Sequence, residues 1–225
     1  MGESEPDVAI VPGRSAAALR VVEFVLMFLV APSLLAIFMR RGLVFPAIWA
    51  LSAICLAALV GDPTFDRRQL WNWKGLGLVW RGVAGRFAVG AALLTVILLA
   101  YEPFRFLQLP RQNLGLWGLV MVAYPLLSVY PQEVAFRAFV FHRYRGLFQS
   151  DRVLVAANAL VFGYAHIILQ NGWAMAFCAV GGVLFGQTYL RSRSLAAVCT
   201  EHAAYGCFLF TVGWGWYFYG GAVRP

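Results

Sequence analysis

The chain has 225 residues, of which 61% are hydrophobic and only 12% charged, and its mean hydropathy is +0.72. Soluble domains carry about 25% charged residues, so this composition argues against a water-soluble protein with one large core. The formal net charge of +8 comes from basic residues scattered over short loops. That pattern is typical of membrane topology and contact with anionic lipid, and it does not favour nucleic-acid binding.

Seven apolar segments are long enough to cross a bilayer as helices, which close their backbone hydrogen bonds internally as lipid demands. They predict an all-α, polytopic transmembrane bundle of about seven (seven or eight) spans within a single membrane domain at residues 18–225. The expected spans are about residues 18–39, 43–60, 87–101, 115–141, 153–169, 173–190 and 195–219.

Two polar stretches flank the first spans. Residues 1–17 lack the basic start of a signal peptide and predict a short, flexible cytoplasmic tail. Residues 61–86 mix Trp71, Trp73 and Trp80 with Arg and Lys, which predicts an interfacial loop at the lipid headgroups. A soluble extramembrane loop is the alternative for that stretch.

The distribution of Lys and Arg predicts the orientation. With seven spans, twelve basic residues fall on the side of the N-terminus and five on the other side. Because cytoplasmic loops carry the excess of Lys and Arg, we expect a multi-pass protein with a cytoplasmic N-terminus.

Few ionisable side chains fall deep inside the predicted spans. They are Glu133 and Glu201 among ten acidic residues, and His166 and His202 among three histidines. A charged residue at the centre of a membrane helix costs at least roughly 2.5–3.5 kcal/mol on insertion scales, so such residues indicate a site that faces the protein interior. Glu133, His166 and His202 lie about 12–20 Å along their helices. We therefore expect them to converge on a polar pocket that opens toward the cytoplasm.

Three motifs carry a family resemblance: QEVAFR at 132–137, FGYAH at 162–166 and HAAYG at 202–206. Their order, spacing and helical settings resemble the CPBP or ABI family of CAAX proteases and bacteriocin-processing enzymes, over about residues 115–220. The marks of that family are Glu-Glu-x-x-x-Arg, Phe-x-x-x-His and His-x-x-x-Asn or Asp. The resemblance implies an intramembrane endopeptidase that hydrolyses a membrane-associated protein or peptide. Its substrate would be a CAAX-like tail, a leader peptide or a C-terminal sorting signal.

Two positions depart from the family pattern. The first Glu, to which the family assigns activation of water, is Gln132 here, and the Asn or Asp is Gly206. Some bacterial branches of the family resemble this chain in starting the motif with Gln-Glu, which suggests that Glu133 has taken over the role of the base. We also expect the protein to lie in a bacterial inner (plasma) membrane.

The chemistry of hydrolysis suggests a role for each motif residue. Glu133 is the expected base, His166 orients the water and His202 stabilises the oxyanion. The supporting residues are Arg137, which holds Glu133, together with Gln132, Phe162 and Glu201.

Several alternatives stay open. Glu133, His166 and His202 would also make a zinc site of the His₂Glu type, although the resemblance favours a metal-free glutamic mechanism without a cofactor. The departures at Gln132 and Gly206 suggest an inactive relative that acts as a membrane binding or immunity protein. A small transporter with a Glu/His proton relay is a third possibility, and the oligomeric state is not predicted.

Overall fold

The computed structural model describes residues 14–38 and 43–218, and these ranges fold into helices without a strand. Seven helices are long and apolar enough to cross a membrane, which confirms the predicted all-α transmembrane fold. We number them in chain order: α1 Ser15–Phe38, α2 Val44–Gly61, α3 Trp73–Tyr101, α4 Leu114–Arg143, α5 Asp151–Leu169, α6 Gly172–Ser192 and α7 Leu195–Val212.

The third span is much longer than predicted. It begins at Trp73 rather than at residue 87, because the Asn72 side chain caps it by accepting a hydrogen bond from the Gly75 amide. The expected interfacial loop at 61–86 therefore shrinks to residues 62–72, which include one 3₁₀ turn at Arg67–Leu70. A helix of 29 residues is about 43 Å long, so its basic first turns can extend past a hydrocarbon core of roughly 30 Å.

The chain termini differ from the prediction in smaller ways. Most of the expected tail at 1–17 lies outside the described residues, and the first helix already begins at Arg14. The seventh span ends at Val212 rather than at 219, because Gly213 follows with a φ of 130°. A Cβ at this glycine would overlap the Arg105 carbonyl oxygen, so only glycine fits there.

Side-chain caps start five of the seven long helices. The capping residues are Asn72, Asn113, Ser150, Asn171 and Ser194, and each side-chain oxygen accepts a backbone N–H in the first turn. Such a cap stabilises a helix by about 1 kcal/mol. These residues set where α3 to α7 begin, and hence the height of each helix in the bundle.

The segments that follow α2, α4 and α6 meet at one end of the bundle, as the alternation of seven spans across a membrane requires. There the Asn72 side chain bonds the Ser192 carbonyl, and His142 bonds Asp62. We call this the basic end; it comprises residues 62–72, 144–150 and 193–194. The opposite end comprises residues 102–113, 170–171 and 213–218, where the Leu107 amide bonds the Val212 carbonyl.

Helix α4, which carries the first motif, is not a regular α-helix. It contains π-helical segments at Pro125–Val129 and Val134–Phe139, and such segments concentrate at functional sites. The ring nitrogens of Pro125 and Pro131 cannot donate to the carbonyls four residues earlier. The Trp49 indole donates to the Leu127 carbonyl at 3.1 Å, and the Cys207 thiol approaches the Met121 carbonyl at 3.9 Å. Neighbouring helices thus supply donors to the two carbonyls of α4 that the prolines leave without their usual partners, as a membrane interior requires.

Candidate active site

Glu133 and Arg137 form an ion pair sealed inside the bundle. Both side chains are fully buried, and Arg137 Nε lies 3.2 Å from Glu133 Oε2. The guanidinium carbon also lies 4.1 Å from the centroid of the Phe162 ring, in cation–π contact. Since a buried charge is tolerated only when it is paired, Arg137 and Glu133 each supply the opposite charge that the other needs.

His202 reaches the other oxygen of the same carboxylate from α7. Its Nδ1 lies 2.7 Å from Glu133 Oε1. A carboxylate accepts hydrogen bonds, so Nδ1 carries a proton and donates a hydrogen bond to Glu133. In the neutral imidazole, Nε2 then bears the lone pair. This is the arrangement in which a carboxylate orients a histidine for acid–base work.

A single aromatic side chain, Phe162, links the members of the site. Its ring centroid lies 5.1 Å from that of His166 and 5.7 Å from that of His202. The Phe185 ring stacks on the His202 ring, with 4.6 Å between the two ring centroids. The structure therefore brings Glu133, His166 and His202 around one aromatic cluster, with only Glu133 and His202 in direct contact.

His166 is held by its own helix. Its Nδ1 lies 2.8 Å from the Phe162 carbonyl oxygen, which can only accept, so Nδ1 donates and Nε2 keeps its lone pair. The residue sits where α5 tightens into a 3₁₀ turn at His166–Leu169. This geometry leaves Nε2 able to accept a hydrogen bond from a water molecule.

The supporting residues occupy different places. Gln132 is buried and donates to the Ser128 hydroxyl at 2.8 Å, while its Oε1 has no hydrogen-bond partner among the residues that the structure describes. Glu201 is fully buried and pairs with a different arginine from Glu133. It accepts a hydrogen bond from Arg86 on α3 at 2.9 Å, and Arg86 also donates to Thr188.

Two residues of this region were missed by the sequence reasoning. Arg86 was assigned to a loop, although the structure makes it the partner of Glu201 in the middle of α3. The Tyr124 hydroxyl lies 3.0 Å from His202 Nε2. Its spacing offered a signal, since Tyr124, Ser128 and Gln132 recur every four residues along α4.

The zinc hypothesis finds no ready-made site in the arrangement of side chains. Across residues 14–38 and 43–218, no group of three or more His, Cys, Asp or Glu side chains is placed to hold a metal ion. Glu133 Oε1 pairs directly with His202 Nδ1 and is not directed, together with a second ligand, at a shared point. We therefore derive no step through zinc.

A cavity lies at the opposite end of the bundle, beside the short helix Gln108–Gln112. Its lining includes Leu116, Phe210 and Trp216. Phe210 packs at 5.5 Å on the Tyr124 ring, which in turn contacts His202. Two aromatic rings, those of Phe210 and Tyr124, thus link the wall of this cavity to His202. The pocket that opens toward the cytoplasm stays a prediction.

Comparison with known proteins places this site within a family domain. Residues 113–208 match the family model described as type II CAAX prenyl endopeptidase Rce1-like. No curated protein and no solved structure matches the chain. The matched region contains all three motifs, and with them Glu133, His166 and His202. Residues 113–208 are therefore similar in sequence to the Rce1-like family of type II CAAX prenyl endopeptidases, as the motifs had indicated.

Proposed function

We propose that the protein is an intramembrane endopeptidase that hydrolyses a peptide bond in a membrane-associated polypeptide by a metal-free mechanism. The observation that carries this proposal is the hydrogen bond between buried Glu133 and His202 Nδ1 at 2.7 Å. It leaves the opposite nitrogen of His202 as a base inside a membrane-spanning fold. Similarity to the Rce1-like family supports the reaction class.

The contacts favour catalytic roles for Glu133 and His202 that differ from those expected from the sequence. Glu133 is fully buried, and its two oxygens face His202 and Arg137. It therefore acts through His202 instead of touching the water itself. Glu133 fixes the proton on Nδ1 and stabilises the imidazolium that forms, as the carboxylate does in a Ser-His-Asp triad.

The proposed reaction has two steps. His202 Nε2 removes a proton from water while the water oxygen bonds to the scissile carbonyl carbon. The tetrahedral intermediate then collapses, the C–N bond breaks, and Nε2 returns the proton to the leaving amine. The hydrogen bond from His166 Nδ1 to the Phe162 carbonyl leaves the lone pair on Nε2. His166 Nε2 accepts a hydrogen bond from the second O–H of the water and so orients the water oxygen.

The substrate class follows from the family and the setting. A CAAX-like C-terminal tail, a leader peptide and a C-terminal sorting segment all present a scissile bond next to a membrane anchor. We further propose that the N-terminus and the basic end face the cytoplasm of a bacterial inner membrane, since the excess of Lys and Arg lies there.

The test uses purified protein in detergent and an internally quenched peptide that ends in a farnesylated Cys-aliphatic-aliphatic-X sequence. We expect the Glu133→Gln and His202→Ala variants to lose about 10²–10⁴-fold in kcat, the usual size of a general acid–base contribution. Glu102→Gln is the matched control, because Glu102 lies at the opposite end and pairs with Arg105. Cleavage that survives Glu133→Gln in a correctly folded protein would refute the mechanism.

The same preparation tests metal dependence. Prolonged dialysis against a chelator, followed by elemental analysis, should leave the cleavage rate unchanged. A loss of activity that added zinc restores would replace our mechanism with the metalloprotease alternative.

An inactive relative that binds membrane proteins is the second candidate. It is favoured by Gln132 and Gly206, which replace two polar family residues, and by the complete burial of Glu133. Wild-type protein that binds the farnesylated peptide without cutting it would support this function.

A further inference from the structure

Gly206 and Tyr124 fit together at the third motif. The family pattern places Asn or Asp four residues after the motif histidine, and this chain has Gly206 there. A Cβ built on Gly206 would overlap the Cε1, Cζ and Oη atoms of Tyr124. The tyrosine therefore occupies the space into which a side chain at position 206 would project.

The hydroxyl of this tyrosine also reaches the catalytic histidine. Tyr124 Oη lies 3.0 Å from His202 Nε2, the nitrogen that the proposed function uses as its base. Because Nδ1 donates to Glu133, Nε2 of the neutral ring accepts, and the Tyr124 hydroxyl donates. The resulting chain of hydrogen bonds runs from Glu133 through His202 to Tyr124.

The position of the tyrosine is fixed from both sides. Its ring packs edge-on against His202 at 6.0 Å and against Phe210 at 5.5 Å. It precedes Pro125, the first residue of a π-helical segment. A rigidly held hydroxyl beside the base is suited to donate to developing charge with little reorganisation.

We propose that Tyr124 is a catalytic residue that replaces the missing polar side chain at position 206 and donates a hydrogen bond to the oxyanion. This inference rests on the proposed function. When water and the scissile carbonyl enter beside Nε2, attack of the water oxygen moves the carbonyl π electrons onto the carbonyl oxygen. The Tyr124 O–H turns from Nε2 to that oxygen and keeps its proton throughout, and the electrons return to carbon when the C–N bond breaks.

The first experiment separates this role from the general base. Tyr124→Phe removes only the hydroxyl and keeps the ring that packs on Phe210. We expect kcat on the farnesylated peptide to fall about 10²–10³-fold, the usual cost of one oxyanion donor, with little change in KM. Tyr101→Phe is the control, because Tyr101 is exposed at the end of α3.

The outcomes distinguish the two proposals. If Tyr124→Phe keeps the full kcat while Glu133→Gln does not, the role of Tyr124 is overturned and the proposed function stands. If both variants keep full activity, the proposed function fails as well.

A rescue experiment tests the replacement directly. Gly206→Asn alone should lower the melting temperature, since the new side chain meets the Tyr124 ring. Tyr124→Ala makes room, so the double variant Tyr124→Ala/Gly206→Asn restores the family pattern. We expect it to be at least tenfold more active than Tyr124→Ala alone; equal activity of the two would contradict the replacement.

A measurement independent of turnover tests the hydrogen bond itself. The chain has three histidines, so ¹⁵N labelling of histidine yields few resonances, which His142→Gln and His166→Gln variants assign. Tyr124→Phe should move the Nε2 resonance of His202 downfield, toward that of an unbonded imine nitrogen, and leave the His142 signals in place. An unchanged His202 resonance would overturn the proposal whatever the activity.

Discussion

The buried pair of Glu133 and Arg137 allows a quantitative prediction about stability. Both side chains have no exposed surface, and Arg137 Nε lies 3.2 Å from the carboxylate. Within residues 14–38 and 43–218, none of the three guanidinium nitrogens of Arg137 has a partner in hydrogen-bond geometry, so charge attraction holds the pair together. Replacing Arg137 by Met keeps a side chain of similar length between Phe162 and Phe185 but leaves Glu133 as an uncompensated charge.

The expected cost is large for a single substitution. Breaking a buried ion pair by removing one partner destabilises a protein by about 3–5 kcal/mol. Loss of the cation–π contact with Phe162 at 4.1 Å acts in the same direction. Replacing both charges with neutral residues is often neutral or even stabilising. The double variant Glu133→Gln/Arg137→Met should therefore recover most of the loss.

Reversible unfolding in mixed micelles of mild detergent and SDS measures these free energies. Arg152→Met is the control, because Arg152 is exposed in the first turn of α5. The reasoning is refuted if Arg137→Met unfolds at the same SDS fraction as wild type. It is also refuted if the double variant is as unstable as the single one, since the cost would then come from packing and not from unpaired charge.

Two further predictions concern charges outside the Glu133 site. Arg86→Met should destabilise the fold by about 3–5 kcal/mol, because fully buried Glu201 loses its partner. Adding Glu201→Gln should restore most of the lost stability. Equal stability of the single variant and wild type in SDS unfolding would contradict this prediction. At the basic end, hydrogen bonds from Thr64 and His142 hold the pKa of Asp62 well below its ordinary 3.8. Asp62 then stabilises the fold above that pH and loses this contribution as the pH falls through the folded pKa. Asp62→Asn should therefore be less stable than wild type at pH 7, with a difference that shrinks below pH 4; a difference independent of pH would show that the charge is not responsible.

Much of the fold was predictable because membrane insertion follows local rules. Six of the seven spans begin within about four residues of the predicted positions, since an apolar run of sufficient length is its own signal. The exception, α3, begins fourteen residues early. Its first turns carry Lys74 and Arg81, and Arg86 lies near its middle. A charged residue in a sequence does not distinguish a loop from a helix that extends past the bilayer or that pairs the charge inside the protein. The partner that neutralises Arg86 is Glu201, more than a hundred residues away.

The candidate site, too, was predictable from the sequence only in part. Glu133, Arg137, His166 and His202 could be selected from sequence because ionisable groups are costly in a membrane and rarely occur there without a partner or a function. The contacts between these residues could not be predicted from the sequence. That Glu133 meets His202 rather than His166, and meets it through Nδ1, depends on how α4 and α7 are rotated against each other. The π-helical segments of α4 change that rotation, and hydrophobic periodicity does not report them.

Composition, run length and local spacing along the chain predicted the membrane setting, about seven spans, the family resemblance and the ionisable residues of the site. The packing of the helices sets which of these residues touch, that Arg86 neutralises Glu201, and that Tyr124 fills the space opposite Gly206. These are contacts between helices distant in the chain. Their geometry is set by packing at a scale of a few ångströms, which no pattern along one helix encodes.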